Sequence, residues 1–120
     1  MKQQNVYKSS PAGYIEAIDG IFRKTLVWGN NALLTEFKLA GGKKLPSHKH
    51  DEEQVGYLVS GHIILQINNE KYDMLPGDSW AIPGGIEHSA EIAADSIAIE
   101  VFSPVRRDYL PALNGDKAIS

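Results

Sequence analysis

Apolar and polar residues alternate along most of the chain, and no segment keeps the period of an amphipathic helix. The alternation is clearest in residues 33–39, 62–67 and 96–102, where one set of alternate positions is mainly apolar. A period of two places successive side chains on opposite faces of a β-strand. These three segments are therefore predicted to be strands.

Short clusters of turn-forming residues separate the predicted strands. They are rich in Gly, Pro, Asn, Asp and Ser, which tight turns favour. The clusters are Asn30-Asn31, Gly41-Gly42, Ser60-Gly61, Asn68-Asn69, residues 76–78 and residues 83–85. Short strands between tight turns are typical of an all-β sandwich or barrel. Little helix is predicted, at most one turn within residues 106–113.

Length, composition and charge limit the classes of protein to consider. The chain has 120 residues, 42% hydrophobic and 22% charged, which predicts one globular domain spanning 1–120. The formal net charge is -3 without a block of like charges, so we expect a small-molecule ligand and neither a nucleic-acid nor a membrane partner. No stretch approaches the roughly 18 apolar residues of a membrane span, and no signal-like segment follows Met1. A cytoplasmic location is expected.

Histidines are the candidate metal ligands, because the chain contains no cysteine. His48 and His50 stand two residues apart, which on a strand directs both imidazoles to one face, and Gln54 follows four residues later. His88 lies 38 residues beyond His50, just after a predicted turn. A hairpin or meander would have to bring it beside the first pair.

The chain from Gly42 onwards resembles a cupin. The first cupin motif contains a Gly, a His-x-His pair, a Glu and a closing Gly, and it is matched over residues 42–61. The matching residues are Gly42, His48, His50 and Gly61, with Gln54 at the position of the Glu. This departure replaces a charged oxygen ligand with a neutral one.

The second cupin motif is matched over residues 77–92. The matching residues are Gly77, Pro83, Gly85 and His88. The closing Asn of the motif is replaced by Ile92, a position that is not an expected ligand. We expect this departure to alter local turn geometry rather than the metal site.

The resemblance implies a cupin double-stranded β-helix, which is a jelly-roll barrel, with one divalent transition metal near its interior. The implied ligands are His48, His50, Gln54 and His88. Three imidazoles and one oxygen suit Ni, Mn, Fe, Co, Cu or Zn and leave positions open for substrate if the ion is octahedral. Because the amide of Gln54 is neutral, the ion should bind less tightly and be a stronger Lewis acid than beside a carboxylate.

The last predicted strand contains a second set of polar residues. Ile97, Ile99 and Val101 share one face, so Glu100 and Phe102 share the other, which is either solvent or barrel interior. A carboxyl group facing the interior would lose solvent, and its pKa would rise towards the range of a general acid or base.

Residues 100–110 resemble the end of the small cupins of pectin and alginate breakdown, which open unsaturated monouronates to linear keto sugar acids. That family carries an Asp, a Phe and an Arg at the spacing of Glu100, Phe102 and Arg106. The resemblance implies that Glu100 moves a proton, Arg106 clamps the substrate carboxylate, and Phe102 packs on the sugar ring. Glu100 departs from the family Asp by one methylene, enough to alter proton transfer.

Three functions stay open at this point. The first is ring opening or tautomerisation of an unsaturated uronate by a metal-dependent isomerase. The second is a metal-dependent dioxygenase of a small organic substrate, and the third is a non-catalytic sugar-binding or sensory cupin. The expected ligand is a sugar acid or another small organic acid, and the expected assembly is a homodimer, as small cupins tend to form.

Overall fold

The computed structural model describes residues 5–111. It contains eight strands and, at the end of the described chain, one 3-10 turn at Arg107–Tyr109. The strands are β1 Ile15–Ile18, β2 Ile21–Trp28, β3 Leu33–Leu39, β4 Lys44–His48, β5 Glu53–Ile67, β6 Glu70–Met74, β7 Ser79–Ile82 and β8 His88–Ser103. The all-β prediction with little helix is confirmed. That all of 1–120 forms one domain stays a prediction, because both ends lie outside the described residues.

All strand pairs are antiparallel and belong to one sheet. Its order is β1-β2-β3-β8-β5-β6, with β4 paired to β8 and β7 paired to β5. The alternation predicted for residues 33–39 is present in β3, whose buried residues are Leu33, Thr35, Phe37 and Leu39. The described residues contain no helix that is long and apolar enough to span a membrane.

A sharp corner interrupts the long ladder between β5 and β8. The ladder runs from the pair Glu53 and Ser103 to the pair Ile67 and His88, and its register shifts repeatedly between Leu58 and Ile63. Such bulges bend a strand and increase its twist. We call residues 58–63 of β5, with the residues of β8 opposite them, the corner.

Gly61 allows the corner to form. Its φ is +95°, and a Cβ atom there would lie 2.1 Å from Ser96 Oγ and 2.4 Å from the carbonyl oxygen of Asp95. Only glycine combines this backbone conformation with so close an approach of the opposite strand.

The corner returns one end of the ladder to the other. A flat ladder would separate Gln54 from His88 by about 40 Å, at roughly 3.3 Å per residue. His50 contacts Gln54, and its ring centroid is only 5.1 Å from that of His88. The two ends of the ladder are therefore close together, so the ladder must bend back on itself. We call residues 53–58 with 98–103 the polar half of the ladder, and residues 63–67 with 88–92 the apolar half.

Ile92 lies in the hydrophobic core, in the apolar half, with 2% of its surface exposed. Its main-chain N–H donates to the carbonyl of Lys43 at 2.9 Å, and its carbonyl accepts from the N–H of Gly42 at 2.7 Å. The residue that replaces the motif Asn therefore fills the core, and its backbone is paired with the start of the first motif.

Candidate metal centre

The three histidines converge at the end of β4. This strand ends at His48, which pairs in register with His88, the first residue of β8. His50 lies two residues beyond the strand. The prediction that both histidines belong to one strand is therefore correct for His48 and wrong for His50. One ring nitrogen from each histidine lies within 4.8 Å of the others, which suits a metal ion. Direct pairing of β4 with β8, rather than a meander, brings His88 into place.

Each of the three imidazoles is anchored through Nδ1. In every ring this atom lies 2.9 Å from a main-chain carbonyl oxygen two residues away along the chain. The pairs are His48 with Pro46, His50 with Glu52, and His88 with Ile86. A carbonyl oxygen can only accept, so Nδ1 donates, and in the neutral ring Nε2 keeps its lone pair.

Burial keeps two of these rings neutral. It lowers the pKa of His88 to about 4 and also lowers the pKa of His48. His88 is 3% exposed, and its Nε2 is buried without a hydrogen-bond partner among the described residues. A buried lone pair without a donor is costly, and a metal cation would satisfy it.

Gln54 contributes an oxygen beside the histidines. It lies on the inner face of β5, 5% exposed, and its Oε1 is 2.7 Å from His50 Nε2. Both atoms are acceptors when Nδ1 of His50 holds the ring proton, so their lone pairs face each other. A cation between them would satisfy both atoms. The donor set of this site therefore fits a divalent transition metal.

Glu100 faces the barrel interior, which decides between the two faces that the sequence left open. Its Oε1 accepts hydrogen bonds from Nε2 of Gln54 and, at 3.3 Å, from Nε1 of Trp80. Burial raises the pKa of Glu100 to about 7, and these two donors and the charge of Arg106 oppose the rise. A carboxyl group with this pKa can both give and take a proton near neutral pH.

Phe102 and Arg106 follow Glu100 on the same side of the barrel. Phe102 is only 1% exposed, with its ring centroid 5.6 Å from that of His50 and 5.2 Å from that of Tyr109. The Arg106 guanidinium lies 4.1 Å from the ring centroid of Tyr109 and 5.1 Å from that of Phe102. Its Nε is 3.3 Å from Asp108 Oδ1.

One cavity of about 80 Å³ connects these side chains. Six of the seven predicted site residues line it, and the remaining one, His50, packs against Phe102. The six are His48, Gln54, His88, Glu100, Phe102 and Arg106. The rest of the wall is mostly apolar.

Two residues at the site were missed by the sequence reasoning. Trp80 is not among the predicted site residues, but its indole donates to Glu100. Tyr109 lines the cavity and stacks with the guanidinium groups of both Arg23 and Arg106. The alternation of residues in β7 could have indicated that Trp80 faces the interior, because it puts Trp80 on the same face as the buried Ile82.

Comparison with known proteins identifies one family. The Cupin_2 family model, described as a cupin domain, matches residues 35–103. This segment contains all the ligand candidates, together with Glu100 and Phe102.

Individual relatives are consistent with that match. "Pectin degradation protein KdgF" of Dickeya dadantii (strain 3937) is 31% identical over 94 residues, covering 77% of this chain and 86% of that protein. The solved structure of KdgF from Halomonas sp. has a TM-score of 0.83 at 28% identity, covering 88% of this chain and 100% of that one. "HTH-type transcriptional regulator PuuR" of Escherichia coli (strain K12) is 44% identical over 41 residues, which are 34% of this chain and 22% of the regulator.

Proposed function

Because the chain belongs to the Cupin_2 family, we propose that it is a metal-dependent isomerase that opens unsaturated monouronates to linear keto sugar acids. The observation that supports this most is that Glu100, Phe102 and Arg106 line the same cavity as the metal-ligand candidates. The similarity to KdgF, a protein named for pectin degradation, supports the same substrate class.

The proposed cofactor is one divalent transition metal: Ni, Mn, Fe, Co, Cu or Zn. Its proposed ligands are Nε2 of His48, His50 and His88 together with Oε1 of Gln54. When bound, the ion would supply Lewis acidity, drawing electron density from a coordinated substrate oxygen. The neutral donor set leaves the +2 charge of the ion uncompensated, which favours an anionic substrate.

Glu100 is the proposed proton carrier. Ring opening breaks the hemiacetal C–O bond: the anomeric hydroxyl gives its proton to Glu100 and becomes the aldehyde, and the ring oxygen leaves as an enolate. The same carboxyl group can return this proton to the enolate carbon to give the ketone. The reaction is then a net isomerisation that consumes no oxidant or reductant. A pKa of about 7 suits both transfers.

Arg106 and Phe102 are proposed to bind the substrate. The Arg106 guanidinium would hold the uronate carboxylate with two parallel hydrogen bonds, which an ammonium group could not reproduce. Phe102 would contact the sugar ring through the small part of its edge that reaches the cavity, since the remainder packs on His50 and Tyr109.

The experiment that tests this function follows the loss of unsaturated uronate absorbance. Glu100→Gln removes the titrating group while keeping its size, so kcat should fall by about 10²–10⁴. The matched control is Glu91→Gln, on the exposed face of the same strand, which should keep the wild-type rate.

A wild-type rate no higher than spontaneous opening, with each of the six metals loaded in turn, would refute the uronate function. An unchanged rate in Glu100→Gln would refute the role of Glu100 alone.

A sensory function is the second candidate, and one observation favours it. A 41-residue part of the chain is similar to the transcriptional regulator PuuR. Such a protein would bind a small acid with saturation but without turnover, which calorimetry combined with the uronate assay distinguishes.

The dioxygenase alternative predicts oxygen consumption with ferrous ion, whereas ring opening needs no oxygen.

We propose that the assembly is a homodimer formed through the outer face of β5, β7 and β8. Val55 and Tyr57 are exposed there, beside Ile99 and Val101, and none of the described residues that line the shallow groove between them is charged. In a two-fold dimer a patch meets its own copy, so a neutral apolar patch avoids repulsion between like charges. Sedimentation equilibrium tests this, and a monomer at all concentrations would refute it.

The cytoplasmic location and the absence of nucleic-acid and membrane partners stay predictions.

A further inference from the structure

The indole of Trp80 reaches across one strand to contact the next. β5 lies between β7 and β8, and Gly56 of β5 pairs with Trp80 on one side and with Glu100 on the other. The Trp80 indole Nε1 nevertheless donates to Glu100 Oε1 at 3.3 Å. The ring must therefore pass directly over Gly56.

Gly56 provides the space for this crossing. A Cβ atom at this position would lie 2.2 Å from Cε2, 2.3 Å from Nε1 and 2.4 Å from Cζ2 of Trp80. Because real side-chain atoms never approach so closely, any other residue would displace the indole. A glycine at an inward position of a strand marks such a close approach.

Glu100 links Trp80 to the metal centre through Gln54. The carboxylate oxygen that accepts from Trp80 also accepts from Nε2 of Gln54, and Oε1 of Gln54 faces His50 Nε2. An amide group has nearly the same shape when it is rotated by 180°, so its neighbours decide which end faces the metal. Since a carboxylate only accepts, Glu100 selects the rotamer with the amide N–H₂ towards itself and the oxygen towards the histidines.

We propose that Trp80 is a positioning residue of the metal centre: it holds the Glu100 carboxylate where that group fixes the orientation of the Gln54 amide. This inference rests on the proposed metal site. Hydrogen bonds to a ligand from the surrounding shell typically change metal affinity by 10–100-fold.

The test measures metal binding rather than catalysis. Trp80→Phe keeps an aromatic side chain at this position and removes the N–H donor together with the second ring, so the Kd for Co²⁺ should rise by about tenfold. The visible absorption of bound Co²⁺, which reports ligand geometry, should change with it. Trp28→Phe is the matched control, since Trp28 packs against the core away from this cavity, and it should match wild type in both measurements.

A second variant approaches the same contact from the other partner. Glu100→Ala removes the acceptor and leaves the indole in place, so it should weaken Co²⁺ binding at least as much as Trp80→Phe. Adding Trp80→Phe to Glu100→Ala should then change the Kd no further, because the two residues act in series. Far-UV circular dichroism confirms that each variant is folded.

Four results would overturn the inference. Trp80→Phe with the wild-type Kd and spectrum would show that the indole does not position the ligand. Wild-type affinity in Glu100→Ala would show the same of the carboxylate, and a full additional tenfold loss in the double variant would show that Trp80 acts by another route. A wild-type protein that binds none of the six metals would overturn the proposed metal site, and this inference with it.

Discussion

The polar and apolar halves of the β5–β8 ladder face the same barrel interior with different chemistry. In the polar half the inward positions include Gln54 and Glu100, both joined to further polar groups. In the apolar half they include Ile63 and Ile92, which are almost fully buried, and a polar ligand candidate occurs only at the end, where His88 begins β8. Two continuous strands thus carry most of their polar site groups in one half and mainly aliphatic core residues in the other, although Leu58 and Phe102 of the polar half are also in the core.

This difference implies that metal binding and folding stability can be changed separately. Burying an aliphatic side chain stabilises the fold by removing apolar surface from water. The buried polar groups of the site gain little from folding unless they are paired, and the lone pair of His88 Nε2 is not. Substitutions in the two halves should therefore differ in kind as well as in size.

The largest effect is expected from His88→Ala. Removing one of the proposed ligands should weaken metal binding by more than about 100-fold, beyond the usual effect of residues that only support a ligand. Elemental analysis of the purified protein measures this. His62→Ala is the control, because His62 pairs with Asp73 on the outside of the barrel. Equal metal in wild type and His88→Ala would show that the cluster is not a metal site.

Ile92→Ala should have the next largest effect, on stability rather than on metal content. Its side chain is 2% exposed, and truncation leaves a cavity, so the free energy of unfolding of the metal-free protein should fall by about 2–5 kcal/mol. Urea denaturation measures the loss. Ile18→Ala, the same substitution at an exposed position, should cost only about 0.5 kcal/mol. If Ile92→Ala also lost its metal while folded, the two halves would not be separable.

Gln54→Glu should give the smallest change, because two effects oppose each other. The added charge favours the ion, but the new carboxylate would face the Glu100 carboxylate that now accepts from the amide. Combining Gln54→Glu with Glu100→Gln exchanges the two groups and restores the hydrogen bond. The double variant should retain Co²⁺ about tenfold more tightly than Gln54→Glu alone. Equal retention in both would show that the contact between the two side chains does not affect the metal.

Alternation in the sequence predicted the strands well, but it did not decide which face of β8 points into the barrel. Ile97, Ile99 and Val101 are apolar, yet they lie on the outer side and are only partly exposed, because β8 is a central strand between β3 and β5. Apolar residues on both faces of such a strand hide its orientation from a periodicity argument. Glu100 could be assigned to the interior only from the three-dimensional structure.

The metal-ligand candidates could be found from motif spacing, but their arrangement could not. Spacing predicted that His88 joins His48 and His50, but it did not specify the direct pairing of β4 with β8 or the bulges near Gly61 that bring these residues and Gln54 together. The contact between Trp80 and Glu100 was also beyond the sequence, since it requires both residues to pair with Gly56 from opposite sides. Such a relation follows from strand register, which one sequence leaves undetermined.

The corner also has a consequence for the order of folding. In the apolar half, Ile67 and His88 are 21 residues apart along the chain, whereas in the polar half Glu53 and Ser103 are 50 apart. Closing a longer loop costs more chain entropy, so the apolar half should pair first and the polar half should close later.

Two of the proposed ligands, Gln54 and His88, lie at opposite ends of the ladder, which the bent corner and the pairing of β4 with β8 bring together. Because the polar half closes the longer loop, we expect the contacts that metal binding requires to be absent from the folding transition state. An interaction absent from the transition state leaves the folding rate unchanged and slows unfolding. The bound ion would therefore prolong the lifetime of the native barrel without helping the chain to reach it.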